Sequence, residues 1–419
     1  MKALSVPSPR IGLLPQVSAA HLVSHFHIMT VPALLPLLPA RLDVGFFELG
    51  FALSVFNVVS TLVQAPLGFA VDRYGARRML LGGLALGSAS FLALAIAPTY
   101  AWLLMAMVLA GVANGVYHPA DYALLARGIP SARMGRAFSI HTFSGYLGGA
   151  IAPALLMATA AVAGIEGAFL VAVLVGALAM LVLWMPTAAH GPEPGIAPAA
   201  AGATRGAAGE GAGVSWTLAF APMIMVLTLL FVLLSLSVGA IEKFSVSALV
   251  QGFDVPLPWA NTALTGFLFA SAFGVLAGGL LADRTQHHGF VAAAAFAAAA
   301  VVIAIIAMLA PGGGALVMLL ALAGFLTGVI APSRDMLVRA AAPAGAEGKT
   351  FGIVMTGFNI GGVAGPVLFG WLLDRGLFEG IFWAAVVFMT LTVVLTFCQE
   401  WWARDRRRAG HVVQAGSGA

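Results

Sequence analysis

Uninterrupted apolar runs of about twenty residues, each long enough to cross a bilayer as a helix, recur along the whole chain. They fall near 17–40, 46–71, 79–97, 101–126, 136–162 and 165–186, and again near 217–247, 260–282, 290–310, 314–340, 350–373 and 379–403. In hydrocarbon every backbone polar group must be satisfied internally, so runs of this kind have one cheap solution, the α-helix. Of the 419 residues 61% are hydrophobic and 9% charged, with a mean hydropathy of +1.01, against roughly 25% charged in soluble domains. A water-soluble fold is excluded, and twelve spans leave no room for a large soluble domain. The expected fold class is an all-α membrane protein of twelve transmembrane helices in two pseudo-symmetric six-helix bundles. The apolar run starting at Ile11 continues to Ala40 without a convincing small-residue cleavage site and is expected to be a retained first helix.

The net charge of +4 points to topology rather than to nucleic acid. With both termini on the cytoplasmic side, the inside segments hold sixteen Lys and Arg residues, among them Lys2, Arg10, Arg73, Arg127, Arg205 and Arg404, and the outside ends hold three, Arg41, Lys243 and Arg375. That asymmetry is the positive-inside bias of a multi-pass protein in a bacterial-type cytoplasmic (inner) membrane. Trp102, Trp184, Trp216, Trp259, Trp383, Trp401 and Trp402 fall near helix ends, where an amphipathic ring prefers the interface. Residues 1–186 therefore read as an N-terminal bundle, 187–216 as an Ala-, Gly- and Pro-rich cytoplasmic linker, 217–403 as a C-terminal bundle and 404–419 as a cytoplasmic tail. The lone cysteine, Cys398, allows no intrachain disulfide and is expected to pack within the last span.

An offset of 213 residues superimposes the two halves. Gly111, Gly115, Pro119, Pro130, Gly135, Phe138, Ile140, Gly148, Gly149 and Pro153 fall on Gly324, Gly328, Pro332, Pro343, Gly348, Phe351, Ile353, Gly361, Gly362 and Pro366. Parallel duplicated halves are a transporter architecture, with the substrate site near the midplane between them; the same small residues also let helices pack closely.

The loop after the second span reads Gly68-Phe-Ala-Val-Asp72-Arg73-Tyr-Gly75-Ala-Arg77-Arg78, and the loop after the eighth reads Gly279-Leu-Leu-Ala-Asp283-Arg284. These resemble the Gly-x-x-x-Asp-Arg-x-Gly-x-Arg-Arg signature of the major facilitator superfamily, complete in the first half and truncated in the second. The resemblance implies alternating access by a monomer and a cytoplasmic gate of Gly68, Asp72, Arg73, Gly75, Arg77, Arg78, Asp283 and Arg284. In such a gate the Asp accepts hydrogen bonds from a helix end and the Arg residues pair with acids. The first span, with His21 and His25, and the fourth, with Gly115-Val-Tyr117-His118-Pro119, are similar to the fosmidomycin-resistance-like exporters, a proton-driven branch. That branch usually carries an acid where His25 stands. The similarity runs from about His21 to Pro153, and it implies proton antiport, efflux and drug resistance.

Ionisable side chains inside a span are costly unless paired or hydrated. His21 and His25 share one helical face; Asn114, His118 and Asp121 share another at spacings of four and three; His141 lies one turn into the fifth span. With Arg334, which the repeat places opposite Asp121, these are the candidate proton-coupling or substrate-binding residues. Imidazole titrates in the range that a proton gradient samples. The same residue types suit a transition metal, and they also serve helix packing; the three readings stay open, and no metal is assigned. Asp121 and Arg334 are expected to pair in one transport state, with a local Arg334–Asp335 pair as the alternative. Asn57, Gln64, Asn261, Thr356 and Asn359 are candidate polar residues of the cavity, whose remaining wall of Phe, Leu, Met and Ala favours an amphipathic substrate. Glu242 and Lys243 read as part of an external vestibule.

No Gly-x-x-x-x-Gly-Lys-Ser/Thr loop is present, so ATP drive from this chain is not expected. Nor is there an enzyme-like soluble pocket, a cofactor motif or a basic, aromatic-rich nucleic-acid surface. The expected partners are a small-molecule substrate, protons and the lipid bilayer. The expected function is secondary transport of a small organic molecule, with proton-coupled efflux as what the resemblance implies. Import of a small organic acid or a transition-metal ion, and a non-transporting receptor, are the alternatives.

Overall fold

A computed structural model describes residues 11–130, 133–187, 220–282, 284–285, 287–343 and 347–416. Most of the 187–216 linker, Lys2, Arg10, Arg205, Trp216 and Asp283 lie outside the described residues, as do the side chains of Lys349, Trp401, Trp402 and the basic residues from Arg404 onward. Among the described residues the structure is helical apart from connections and one isolated bridge, Ile11 to Thr187. In chain order the helices are α1 Leu13–Leu34, α2 Leu38–Leu42, α3 Phe46–Tyr74, α4 Ala76–Ile96, α5 Tyr100–Gly128 and α6 Met134–Trp184, then α7 Pro222–Gly252, α8 Leu257–Ala282, α9 His288–Leu309, α10 Gly313–Ala341, α11 Glu347–Asp374 and α12 Glu379–Gly416. Ten of them contain an apolar stretch of spanning length.

Breaks in the helices have local causes. The first span, expected to run from 17 to 40, ends at Leu34: Pro36 has no N–H to donate, and Leu35 and Leu37 bond the Pro32 and Leu34 carbonyls three residues back, so a turn intervenes before α2. The expected fifth and sixth spans are one 51-residue element that breaks at Gly164, whose φ of 73° is a left-handed value that only glycine adopts cheaply. Gly75, at φ 93°, stops α3 in the same way. The last helix runs on to Gly416, thirteen residues past the expected end of its span.

The chain forms two compact units. The first holds α1–α6 together with Pro366–Asp374; the second holds α7–α10, α11 as far as Gly365, and the chain from Arg375. Pro366–Asp374 earns its place in the first unit through α3: Asp374 Oδ1 and Oδ2 accept from the N–H groups of Phe46 and Phe47 at 2.7 and 2.8 Å, satisfying donors that a helix start leaves open.

The sequence repeat is expressed as repeated packing inside each unit. The α3–α5 pair of the first unit recurs as α8–α10 in the second, α4–α5 as α9–α10, and α4–α6 as α9–α12. The matched glycines lie at these contacts. A methyl at Gly111 would meet the carbonyl of Phe56 across α3–α5, and one at Gly324 would meet that of Phe267 across α8–α10. Gly148 abuts the backbone of Leu22 on α1, and its counterpart Gly361 abuts Ser235 on α7. Each unit buries an apolar core, with Phe26, Phe91 and Phe169 in the first and Phe231, Phe267 and Phe296 in the second. Leu62, Phe69, Val162, Leu309 and Met318 stand exposed, an outer surface that needs lipid around it. Cys398 is exposed, not packed in the core as expected.

Candidate functional site

The deepest polar cluster of the first unit is assembled by three helices. His21 comes from α1, Asp121 and His118 from α5 and His141 from α6. α6 approaches α1 through glycines: a Cβ at Gly145 would lie 2.7 Å from His21 Nε2 and 2.9 Å from the His25 ring. The small residues thus bring the α1 histidines against α6 at the level of His141.

Asp121 is the centre. Its carboxylate is wholly buried, and Oδ2 accepts a hydrogen bond from His141 Nε2 at 3.0 Å while lying 3.3 Å from His21 Nδ1. His21 and His141 are also buried, and their rings stack with centroids 3.8 Å apart. Around this trio His25 stands edge-on to His21 at 4.8 Å and His118 at 5.3 Å, both half-buried. Tyr122, exposed at the rim, lies against His118, His141 and Phe138. Three atoms in the cluster are buried without a hydrogen-bond partner: His21 Nδ1, His118 Nδ1 and Asp121 Oδ1. Groups of this kind in a low-dielectric site are costly unless a proton, a cation or water completes them. The arrangement can hold and hand on a proton between imidazole and carboxylate, and its half-buried outer members connect the sealed trio to the surface of the unit.

Five of the seven residues singled out for coupling or substrate binding therefore meet: His21, His25, His118, Asp121 and His141. Asn114 is elsewhere engaged, its Nδ2 donating to Ser60 Oγ at 2.7 Å across α3–α5, where the hydroxyl of a small residue is the nearest acceptor. His27, on another face of α1, donates from Nε2 to the Ala172 carbonyl and packs on Phe91; it has the setting of a packing histidine. Arg334 belongs to the second unit. Its Nε and Nη2 both reach Asp335 Oδ1 at 2.9 Å, although neighbouring helix positions diverge, because the long Arg side chain folds back along α10. The guanidinium then lies beside the T-shaped pair of Phe231 and Phe358, 4.9 and 5.0 Å from their ring centroids. Within its own unit Arg334 thus makes the local pair with Asp335.

The loop signature departs from its expected contacts. Among the described residues Arg77 pairs with no acid: it donates to the Leu183 and Met185 carbonyls and to Thr187 Oγ1, capping the open end of α6. Gln16 of α1 binds the same end through the Val182 and Met185 carbonyls and accepts from Thr187. Asp72 faces Arg127 of α5 at 3.8 Å, with both side chains exposed, and Arg73 lies over Tyr74. Arg78 and Arg284 are exposed. No atom would crowd a side chain at Gly68, while Gly75 is demanded by its backbone conformation. Of the candidate cavity residues, Asn57 and Thr356 return hydrogen bonds to their own helices at Leu53 and Ile353. Gln64 is exposed; Asn261 and Asn359 are half-buried, as are Glu242 and Lys243 within α7. Sequence reasoning missed Gly145, Tyr122, Gln16 and the two phenylalanines at Arg334. Only Gly145 carried a signal, lying one turn before the repeat pair Gly148-Gly149.

Two helical units of repeated packing, with an ionisable cluster buried in one, define a membrane transporter. The sequence profile of the Major Facilitator Superfamily matches residues 17–252 and 218–416, and the chain belongs to that family. It is 25% identical over 276 residues to the fosmidomycin resistance protein of Escherichia coli strain K12, an alignment covering 65% of each chain. It is 35% identical over 159 residues to probable anion transporter 5 of Arabidopsis thaliana, covering 38% of this chain and 37% of that one. The matches thus span less than two thirds of these relatives' lengths. In fold it resembles a bacterial homolog of the human lysosomal transporter Spinster in an inward-facing and occupied conformation, with a TM-score of 0.73 at 15% identity, over 92% of this chain and 95% of the other.

Proposed function

We propose that this transporter exports a small organic molecule across a bacterial-type inner membrane in exchange for protons, as a monomer working by alternating access. The observation that carries the reading is one buried carboxylate oxygen, Asp121 Oδ2, in reach of His141 at 3.0 Å and His21 at 3.3 Å. A proton arriving at His118 or His25 passes to the Asp121–His141–His21 trio when the site faces one side. It leaves by the same groups when the site faces the other, and one proton is bound and one released per cycle of the site. Similarity to a fosmidomycin resistance protein supports efflux as the direction. Arg334, set against the Phe231 and Phe358 rings, is the residue suited to an anionic group on the substrate. The likeness to a probable anion transporter favours that class. Asn57, Gln64, Asn261, Thr356 and Asn359 supply the remaining polar wall. The Asp72-to-Arg78 loop and Arg284 form the cytoplasmic gate, with both termini cytoplasmic. In that gate Arg77 fixes the end of α6 and leaves Asp72, Arg73 and Arg78 free to change partners.

Proteoliposomes holding a pH-sensitive dye, challenged with a panel of antibiotics and organic acids, test the reading. Proton movement triggered by one compound and abolished by Asp121→Asn is the expected result. Labelled-substrate flux in the wild type without proton movement overturns the coupling.

A further inference from the structure

We propose that His21, Asp121 and His141 form a binding site for a late first-row divalent cation of the Zn2+ type, with His118 as the fourth donor. The site uses the same cluster as the transport reading but does not rest on it.

The three inner residues offer one ligand atom each, and these atoms lie within 4.8 Å of one another. Neighbouring ligand atoms on a tetrahedral zinc with bonds near 2.0–2.1 Å are about 3.3 Å apart. The two separations on Asp121 Oδ2, 3.3 Å to His21 Nδ1 and 3.0 Å to His141 Nε2, are close to that spacing, and the two imidazoles, stacked at 3.8 Å, turn about their side-chain bonds to face one ion. The His21 nitrogen makes this approach without forming a hydrogen bond, and His118 Nδ1 and Asp121 Oδ1 are likewise buried and unpartnered. Lone pairs so placed are donors awaiting an electrophile. His27 on the same helix also has a buried, unpartnered Nδ1, but it faces no carboxylate and gives its Nε2 proton to a backbone carbonyl, so the carboxylate is what distinguishes the cluster.

Donor chemistry selects the ion. Imidazoles with one carboxylate suit Zn2+, Co2+, Ni2+ and Cu2+, whereas Ca2+ and Mg2+ require six or more oxygens. One carboxylate and neutral imidazoles leave a bound dication with a single net positive charge, far cheaper to bury than the free ion. The three ligands come from α1, α5 and α6, so the geometry is set by rigid helices. Entry runs past His118 and His25, which are only half-buried.

The test uses full-length protein in detergent, stripped with a chelator and titrated with ZnCl2 by calorimetry, with bound metal counted by mass spectrometry. One Zn2+ per chain is expected, weakened at least tenfold by Asp121→Asn and by His141→Gln and unchanged by His27→Gln. A background in which His190, His287, His288 and His411 are Gln keeps the site. Co2+ in place of Zn2+ should give visible absorption of a tetrahedral complex, lost in Asp121→Asn. If His141→Gln does not yield a monodisperse, helical protein, His118→Gln, expected to weaken binding by a smaller factor, takes its place. No stoichiometric Zn2+ on the wild type, or binding unchanged in Asp121→Asn, overturns the proposal. Dye-reported proton coupling measured without metal is independent of that outcome, so failure of the metal site and failure of the transport reading are told apart.

Discussion

Asp121 and His27 are both buried polar residues of one unit, yet substitution should affect them differently. His27 holds α1 to α6 through the Ala172 carbonyl. His27→Leu removes that bond, worth about 0.5–1.5 kcal/mol, while the Ala172 carbonyl stays in the helical ladder of α6. A lowered melting temperature with dye-reported proton movement per folded molecule unchanged is the expected result. Asp121→Asn should do the reverse, because an amide of the same shape still bonds His141 but cannot carry a proton between imidazoles. At Arg334 the two ring contacts make lysine a poor substitute: the broad guanidinium reaches Phe231, Phe358 and Asp335 together, and a compact ammonium does not. Arg334→Lys loses part of a cation–π contribution of roughly 0.5–2 kcal/mol. It should raise the KM for an anionic substrate about threefold or more with little loss of melting temperature, as read by labelled uptake.

The helices themselves were legible in the sequence because the bilayer leaves them no alternative, and the Gly164 break fell within a residue or two of the gap between the expected fifth and sixth spans. What the apolar pattern does not encode is which buried polar groups meet. His21 and His141 are 120 positions apart, and only Gly145 and Gly148, by admitting α1 closely, bring them together. The signature arginines illustrate the same limit. Arg77 was read by resemblance as an acid's partner, but the acceptors nearest to it are the open carbonyls at the end of α6, and no residue type announces a backbone carbonyl. The repeat gives this scale its prediction. Gly324→Ala and Gly328→Ala drive a methyl into the backbone of Phe267 and Ser271, whereas Gly279 has nothing within 4 Å of an added Cβ. Overpacking against backbone costs about 1–3 kcal/mol. The first two variants should therefore lower the melting temperature of the purified protein by several degrees, and Gly279→Ala should not.

Charge placement and energy source belong to the whole chain. Sixteen basic residues on one set of connections against three on the other are the basis of the proposed orientation under the positive-inside rule, and that orientation decides which face of the membrane each connection meets. Cys398 is the single cysteine, so Cys398→Ser gives a background for labelling. A cysteine at Thr99, in the connection between α4 and α5, should react with a membrane-impermeant maleimide in intact cells, and one at Arg133, between α5 and α6, only after permeabilisation. The opposite pattern would invert the topology and with it the meaning of inward and outward for the Asp121 cluster. With orientation fixed, the gradient becomes the decisive variable. A carrier whose protonated and substrate-loaded forms exchange sides must run backwards when the proton gradient is inverted, because the coupling is a linkage between two binding equilibria on one molecule. Vesicles of known sidedness should therefore accumulate labelled substrate under one imposed pH difference and lose it under the other, with Asp121→Asn indifferent to both. Accumulation that ignores the sign of the pH difference would place the driving force outside the histidine cluster.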